Sequence, residues 1–96
     1  MEVQFKEWKC TVGFAKYNNG RIAIQLIDAH NGYPIATASV NLPHEPMDAD
    51  EVAIKDYSEN AGMYSALNEA GLISTPTRIV QSGYAYIPIC KLLEQD

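Results

Sequence analysis

Alternation of apolar and polar residues dominates the first half of the chain and predicts β-strands. In the stretch WKCTVGF, residues 8–14, every second side chain is apolar, and the same period returns in residues 22–26 and 35–42. Asn-Gly dipeptides at positions 19–20 and 31–32 separate these stretches. Asn-Gly is preferred in two-residue hairpin turns because both central residues there need positive φ. The pattern therefore predicts an antiparallel, three-stranded meander.

The N-terminal residues continue the apolar pattern with a change of phase. Val3 and Phe5 are apolar, but they do not fall on the same face as the apolar residues of the stretch 8–14. One extra residue in a strand restores the inward face, so this shift predicts a β-bulge near Lys6 and Glu7.

A helical spacing of apolar residues replaces the alternation after Asp56. The apolar side chains of residues 57–70 recur at intervals of three and four, which predicts a helix. Asp56 and Glu59 fit a capping box at its start, and Gly71 stands where a left-handed C-cap is expected. Gly62 weakens such a helix by about 1 kcal/mol relative to alanine, which predicts close packing of the glycine on the sheet.

A second hairpin is predicted near the C-terminus, where residues 78–80 and 84–90 flank the Gln-Ser-Gly sequence of residues 81–83. The order of elements is then βββαββ. We expect a single α+β domain over residues 1–96, in which an antiparallel sheet of about five strands packs against one helix.

The composition is that of a globular protein. Hydrophobic residues make up 47% of the 96 residues and charged residues 20%, whereas disordered chains are poor in aliphatic and aromatic residues. No apolar run approaches the ~20 residues of a membrane-spanning helix, and the N-terminus lacks the basic and apolar regions of a signal peptide. The sequence therefore predicts a cytoplasmic protein with no membrane partner.

The two cysteines, Cys10 and Cys90, lie in apolar alternating stretches near opposite ends of the chain. Buried free thiols are the common outcome in such positions, and a disulfide between two terminal strands is the alternative. Neither cysteine belongs to a C-x-x-C pair, which argues against zinc binding and thioredoxin-type chemistry.

The connection between the meander and the helix, within residues 41–63, is strongly acidic. Its six carboxylates are opposed locally by a single lysine, Lys55. An acidic face of this kind steers basic partners, while solubilising surface charge is the simpler explanation of the same pattern. The residues expected to bind a partner are Glu45, Asp48, Asp50, Glu51, Asp56 and Glu59.

The same stretch offers little support for metal binding or catalysis. Asp48 and Asp50 lack the further ligand spacing and the central glycine of a calcium loop, and His44 has no histidine four residues away. Clustered carboxylates in a flexible loop are normally ionised, without the separated pKa values of an acid–base pair. His30 adjoins a turn, and no serine lies in a nucleophile elbow. We expect no metal, no cofactor and no catalytic residue.

Direct binding of nucleic acid is not expected either. Seven basic residues are scattered along the chain against twelve acidic ones, and the net charge of −5 repels a phosphate backbone. The six tyrosines could stack on bases, but their positions also suit strand and helix faces, and packing is the favoured explanation.

Three segments resemble a family of short proteins of unknown function that are carried on bacterial plasmids, integrative elements and phages. They are RIAIQLIDAHNGYPIATASVNLP, DEVAIKDYSENAGMYSALNEAGLI and SGYAYIPICKL, and the resemblance extends over residues 20–92. No catalytic residues come with it. The resemblance implies work for a mobile element, and with it interference with a host defence such as CRISPR-Cas or restriction.

The expected function is that of a non-enzymatic protein-interaction module of a mobile element, whose acidic face occupies a basic surface of a host protein. Such a host surface would be one that itself binds nucleic acid. Two alternatives stay open at this point: a small-ligand or metal-binding protein, and a structural protein that dimerises through a sheet edge.

Zinc, calcium and magnesium are expected to leave the melting temperature unchanged, because a ligand that binds only the native state must stabilise it by mass action. Thermal unfolding with each ion at micromolar concentration measures this. A rise with zinc that disappears in the His44→Ala variant would contradict the prediction and make His44 a ligand.

Overall fold

The computed structural model, which describes residues 1–93, contains seven β-strands in two antiparallel sheets and one α-helix. The α+β class is confirmed, and the last three residues of the expected domain, 94–96, lie outside the described residues. Within the described part of the chain, no helix is long and apolar enough to cross a membrane. The elements are β1 (Glu2–Phe5), β2 (Trp8–Lys16), β3 (Ile22–Asp28), β4 (Pro34–Thr37), β5 (Glu51–Ala53), a 3₁₀ turn (Ser58–Asn60), α1 (Met63–Glu69), β6 (Ile73–Ser82) and β7 (Ala85–Leu92).

The strands form a four-stranded sheet of order β1-β2-β3-β4 and a three-stranded sheet of order β5-β7-β6. The expectation of one sheet of about five strands was wrong. Beyond Ala38 the backbone stops pairing with β3 and pairs instead with residues 53–55, at the end of β5. The Ala38 amide donates to the Ile24 carbonyl (2.8 Å), and the Lys55 amide donates to the Ala38 carbonyl (2.9 Å). Ser39 pairs with Ile54 as an isolated bridge between the two sheets. Strand β4 is shorter than the predicted residues 35–42 for the same reason.

The first Asn-Gly turn joins β2 and β3 as predicted, but it is longer than two residues. The Gly20 amide donates to the Tyr17 carbonyl, and the Tyr17 amide donates to the Arg21 carbonyl, both at 2.8 Å. Gly20 has φ +84°, whereas Asn19 has no positive φ. This pattern matches a type I turn that is followed by one left-handed residue, so glycine is needed at one position instead of two.

The change of phase near the N-terminus marks a chain reversal, and the predicted bulge was wrong. Residues 6–7 form a two-residue turn, after which β2 runs antiparallel to β1. Phe5 pairs with Trp8, and Val3 pairs with Cys10. Side chains directly opposite each other in an antiparallel pair share a face of the sheet, so these apolar residues point to the same core.

Helix α1 begins later than the predicted residues 57–70, because Gly62 interrupts the helical path. Gly62 has φ +95°, which a helix does not allow, and a Cβ added there would meet nothing within 4 Å. The glycine therefore serves the backbone conformation, and the predicted close packing on the sheet was wrong. The left-handed C-cap is confirmed at Gly71 (φ +79°), where the Leu72 amide donates to the Leu67 carbonyl at 3.0 Å.

The C-terminal hairpin is confirmed, but its turn lies later than the predicted residues 81–83, and its strands are longer than predicted. Ser82 pairs with Ala85, so residues 83–84 form the turn between β6 and β7. The pairing shifts register on both sides of Pro76 and is regular from Arg78 to the turn. The first half of β6 is therefore irregular, and the second half is a regular strand at the edge of its sheet.

The main core lies between α1, the four-stranded sheet and the start of β6. Met63 and Leu67, one turn apart on α1, are fully buried in it together with Ile24 of β3. Cys10 and Cys90 are free, buried thiols of the same core, so the alternative of a disulfide is not realised.

A smaller apolar cluster covers one face of the three-stranded sheet. Ala53, Ile87 and Ile89 are buried in it, and Leu42 and Met47 pack against them from the connection between β4 and β5. This packing brings the acidic connection onto the sheet that contains β6.

Valine at position 20 is expected to lower the free energy of unfolding by about 1–2 kcal/mol, because a β-branched side chain resists the left-handed conformation. Thermal unfolding of Gly20→Val measures the loss. Asparagine tolerates positive φ better than valine, so Gly20→Asn is the matched control and should lose less. Equal melting temperatures for wild type and Gly20→Val would contradict the turn assignment.

Candidate partner-binding site

The first part of the acidic connection, residues 41–50, contains no helix or strand, yet its backbone is held at several points. Arg21, directly before β3, donates to the Leu42 carbonyl and to the Glu45 carbonyl, the latter at 2.6 Å. Met47 packs on the smaller apolar cluster and also lies 3.5 Å from an Arg21 nitrogen. We call residues 41–50 the anchored loop.

Arg78 of β6 holds the same loop from the other side. Its guanidinium donates to the Pro46 carbonyl and lies 3.3 Å from a carboxylate oxygen of Glu45 and 3.3 Å from one of Glu51. The Glu51 side chain is 5% exposed and that of Arg78 is 36% exposed, so the pair is shielded on the carboxylate side. Both arginines of the chain therefore bind the anchored loop.

The buried Glu51 carboxylate is fully occupied by hydrogen bonds. One oxygen accepts from the Asp48 amide at 2.8 Å, and the other accepts from the Thr77 hydroxyl at 2.8 Å. The hydrogen bonds from Asp48 and Thr77 lower the pKa of Glu51, and the positive charge of Arg78 adds to them against the opposing effect of burial. Glu51 thus stays ionised and joins the loop to β6.

Asp48 and Asp50 are the exposed carboxylates of the anchored loop. Asp50 lies 3.9 Å from the Lys91 ammonium, with both side chains at least half exposed, and such surface pairs contribute little. These two carboxylates are therefore available to an external cation.

Asp56 and Glu59 lie outside the loop and have partners of their own. Asp56 accepts a hydrogen bond from the Tyr64 amide at 2.8 Å and so caps α1, eight residues further along the chain. Glu59 binds Lys55 at 2.6 Å, and this hydrogen bond lowers the pKa of Glu59 and raises that of Lys55. The predicted capping box was wrong, because the 3₁₀ turn and Gly62 separate the two residues from the start of α1.

The structure thus divides the six expected carboxylates into two groups. Four of them surround the anchored loop, where one is buried, one is partly covered and two are exposed. The other two lie at the approach to α1. Sequence reasoning missed the arginines that hold the loop, and the signal for Glu51 was its position directly before the apolar residues of β5. The four are Glu45, Asp48 and Asp50 of the loop and Glu51, which directly follows it as the first residue of β5.

A cavity of about 410 Å³ opens beside the anchored loop. Residues 41–45 line one side of it, and residues 80–82 of β6 line the other. His44 belongs to this lining, whereas His30 lies in the turn after β3, where its amide donates to the Asp28 carboxylate at 2.7 Å. The volume falls within the range of about 300–1,000 Å³ that is usual for ligand sites.

The potential metal ligands and the two thiols in the described part of the chain do not form a second candidate site. No three His, Cys, Asp or Glu side chains within residues 1–93 are grouped so that they could hold a metal ion. Burial raises the pKa of both thiols, to about 11 for Cys90. The thiols of Cys10 and Cys90 are therefore protonated near neutral pH and behave as apolar core groups.

No family model, curated protein or solved structure matches this chain. The resemblance to proteins of mobile elements stays a hypothesis, and the geometry of the anchored loop carries the functional argument.

Replacement of Glu51 by alanine is expected to lower the free energy of unfolding by about 1–3 kcal/mol, because it removes the charged acceptor shared by the Asp48 amide, the Thr77 hydroxyl and the Arg78 guanidinium. Asp50→Ala is the matched control: the neighbouring residue is an exposed carboxylate and should change stability little. Chemical denaturation of both variants measures the difference. Equal stability of the two variants would contradict the structural role of Glu51.

The pH dependence of stability provides a second test of the structural role of Glu51. The pKa of Glu51 is lower in the folded than in the unfolded protein, so its carboxylate stabilises the fold fully above the unfolded value of about 4.3. This stabilisation is lost as the pH falls through the folded pKa. The stability gap between wild type and Glu51→Gln should therefore be constant near neutral pH and narrow below about pH 4.

Proposed function

We propose that this protein is a non-enzymatic protein-interaction module that binds a basic surface of a partner protein through the anchored loop. The observation that carries the proposal is the pair of exposed carboxylates, Asp48 and Asp50, on a loop whose backbone is held by Arg21 and Arg78.

The anchoring supports the proposal through the entropy of binding. Fixing the backbone of one residue costs about 1–2 kcal/mol, and a loop that becomes ordered only on binding loses that amount from its affinity. The carbonyls of Leu42, Glu45 and Pro46 are already bound to arginine side chains in the free protein. Loop residues 41–50 can therefore meet a partner with little further ordering.

The charge distribution supports a basic partner. The whole chain has a net charge of −5, and among the described residues Lys91 is the one cation found close to the two exposed carboxylates of the loop. Exposed charges of one sign accelerate encounter with a partner of the opposite sign. Glu51 is buried in β5 and holds the loop through the Asp48 amide, so the proposal assigns the contact to Asp48 and Asp50, with Glu45 at the border of the contact.

The partner that we propose is a nucleic-acid-binding protein of a host defence system, such as a CRISPR-Cas or restriction component. Such proteins present clustered Lys and Arg to the phosphate backbone, and an acidic loop of fixed shape competes for the same surface. This part of the proposal relies on the resemblance of residues 20–92 to proteins of mobile elements.

Charge reversal of the loop in the double variant Asp48→Lys, Asp50→Lys is expected to slow association about tenfold or more, because it removes the electrostatic attraction. A pull-down from host lysate identifies the partner, and association rates with the purified partner at two salt concentrations provide the measurement. Wild-type association should slow as salt rises, since exposed charges are screened beyond about 10 Å at 0.1 M.

The matched control is the double variant Glu2→Lys, Glu7→Lys, which reverses two exposed carboxylates at β1 and its turn. Each double variant changes the net charge from −5 to −1, because each replacement exchanges one negative for one positive charge. Slow association in the loop variant alone supports the proposal. Equal slowing in both variants shows an effect of net charge only, and unchanged rates in the loop variant show that the loop does not form the contact; both outcomes contradict it.

A further inference from the structure

The second half of β6 combines an open strand edge with the cavity beside the anchored loop. β6 pairs with β7 on one side and, within residues 1–93, with no strand on the other. An edge strand has a row of unpaired backbone N–H and C=O groups and can accept a further strand. The edge and the cavity lie along the same part of the chain, residues 80–82.

The lining of the cavity indicates where it meets the strand. Successive residues of a strand point to opposite faces of the sheet, so a cavity on one face touches every second side chain. Val80, Gln81 and Ser82 are consecutive, and all three line this cavity. The cavity therefore borders three consecutive residues of the edge strand, with residues 41–45 as the opposite wall.

We propose that this edge binds an extended basic peptide segment, which adds a strand beside residues 78–82 and places an apolar side chain in the cavity. Backbone hydrogen bonds to the edge supply affinity, and the pocket for alternate side chains supplies specificity, as in other cases of strand addition. The inference rests on the proposed function, because it assigns the chemistry of the segment that the module recognises in its partner.

The two halves of β6 differ in how well they can accept a strand. Pro76 and the register shifts around it disrupt the first half, and both features protect sheet edges from pairing. Residues 78–82 contain no proline, and their pairing with β7 is regular. The one charged side chain among them, Arg78, is already bound to Glu45 and Glu51. Ile79, which is 62% exposed, adds an apolar side chain to this half. A strand of about five residues can therefore be added next to the cavity.

The charge of the protein favours a basic peptide over a second copy of this chain as the strand that binds this edge. A second copy of this chain would also have a net charge of −5, which opposes self-association. Glu45 and Glu51 share the single guanidinium of Arg78, and Asp48 is exposed in the same loop. Glu45 belongs to the cavity lining, and around the cavity the carboxylates of Glu45, Asp48 and Glu51 are opposed by two guanidinium groups, those of Arg21 and Arg78. The one negative charge in excess favours a peptide with lysine or arginine next to its apolar residues.

The experiment uses the full chain and a fluorescein-labelled heptapeptide, KVKVKVK, with EVEVEVE and the proline-containing KVKPKVK as matched peptides. Fluorescence anisotropy gives the affinities, and amide hydrogen exchange followed by NMR gives the protection of each residue. KVKVKVK should bind more tightly than both other peptides, because one lacks the positive charges and the other lacks a central backbone donor. Binding should protect alternate amides within residues 78–82 from exchange.

Two variants test the cavity. Ser82→Trp places a large side chain at the cavity, and it should weaken binding of KVKVKVK by about tenfold or more through steric exclusion. Thr75→Trp adds the same side chain to the irregular half of β6, outside the cavity, and should leave the affinity within about twofold of wild type.

Protection of the β6 edge together with loss of binding in Ser82→Trp alone supports the inference. Peptide binding that is lost in the Asp48→Lys, Asp50→Lys variant but leaves the β6 amides unprotected contradicts the inference. This outcome still supports the proposed function of the anchored loop. Concentration-dependent protection of β6 without peptide identifies a second copy as the occupant and also contradicts it. Absence of binding up to about 1 mM peptide overturns the inference as well.

Discussion

The buried carboxylate of Glu51 is the constraint on which this side of the molecule depends. A charged group taken from water costs several kcal/mol unless donors surround it. The donors here come from Asp48 in the anchored loop and from Thr77 and Arg78 in β6. Because Glu51 itself begins β5, its carboxylate fixes the loop, the first strand of the smaller sheet and the edge strand in one arrangement. The cavity between the loop and β6 follows from that arrangement.

The arginines explain why an acidic chain has few unpaired carboxylates in its most acidic segment. Arg21 donates to the Leu42 and Glu45 carbonyls, and Arg78 binds the Pro46 carbonyl together with the carboxylates of Glu45 and Glu51. A planar guanidinium can donate in several directions at once, which a lysine ammonium does less well along a backbone. The acidity of the segment is therefore exposed only at Asp48 and Asp50, where neither arginine reaches.

Local patterns in the sequence predicted the features whose causes are local. The hairpins followed from alternation and turn residues, and the end of α1 followed from Gly71. The turn at residues 6–7 was missed because a bulge and a chain reversal change the phase of an alternating pattern in the same way. The length of α1 was overestimated because the spacing of apolar residues does not reveal the φ of Gly62. The division into two sheets depends on residues 38–40, whose pairing with β5 has no local signal.

The candidate site stays a prediction, but the structure shows an internal order among its carboxylates that sequence reasoning missed. Sequence reasoning treated six carboxylates as equal, whereas Arg78 and Glu51, 27 residues apart, make one of them a structural group. A carboxylate directly before a run of apolar strand residues was the available sign of burial. Solubilising charge needs no fixed geometry, since any exposed carboxylate supplies it. The anchored loop has carbonyls bound by both arginines of the chain, and its exposed carboxylates lie apart from the buried Glu51. This fixed arrangement supports the proposed recognition of a partner better than it supports solubilising charge alone.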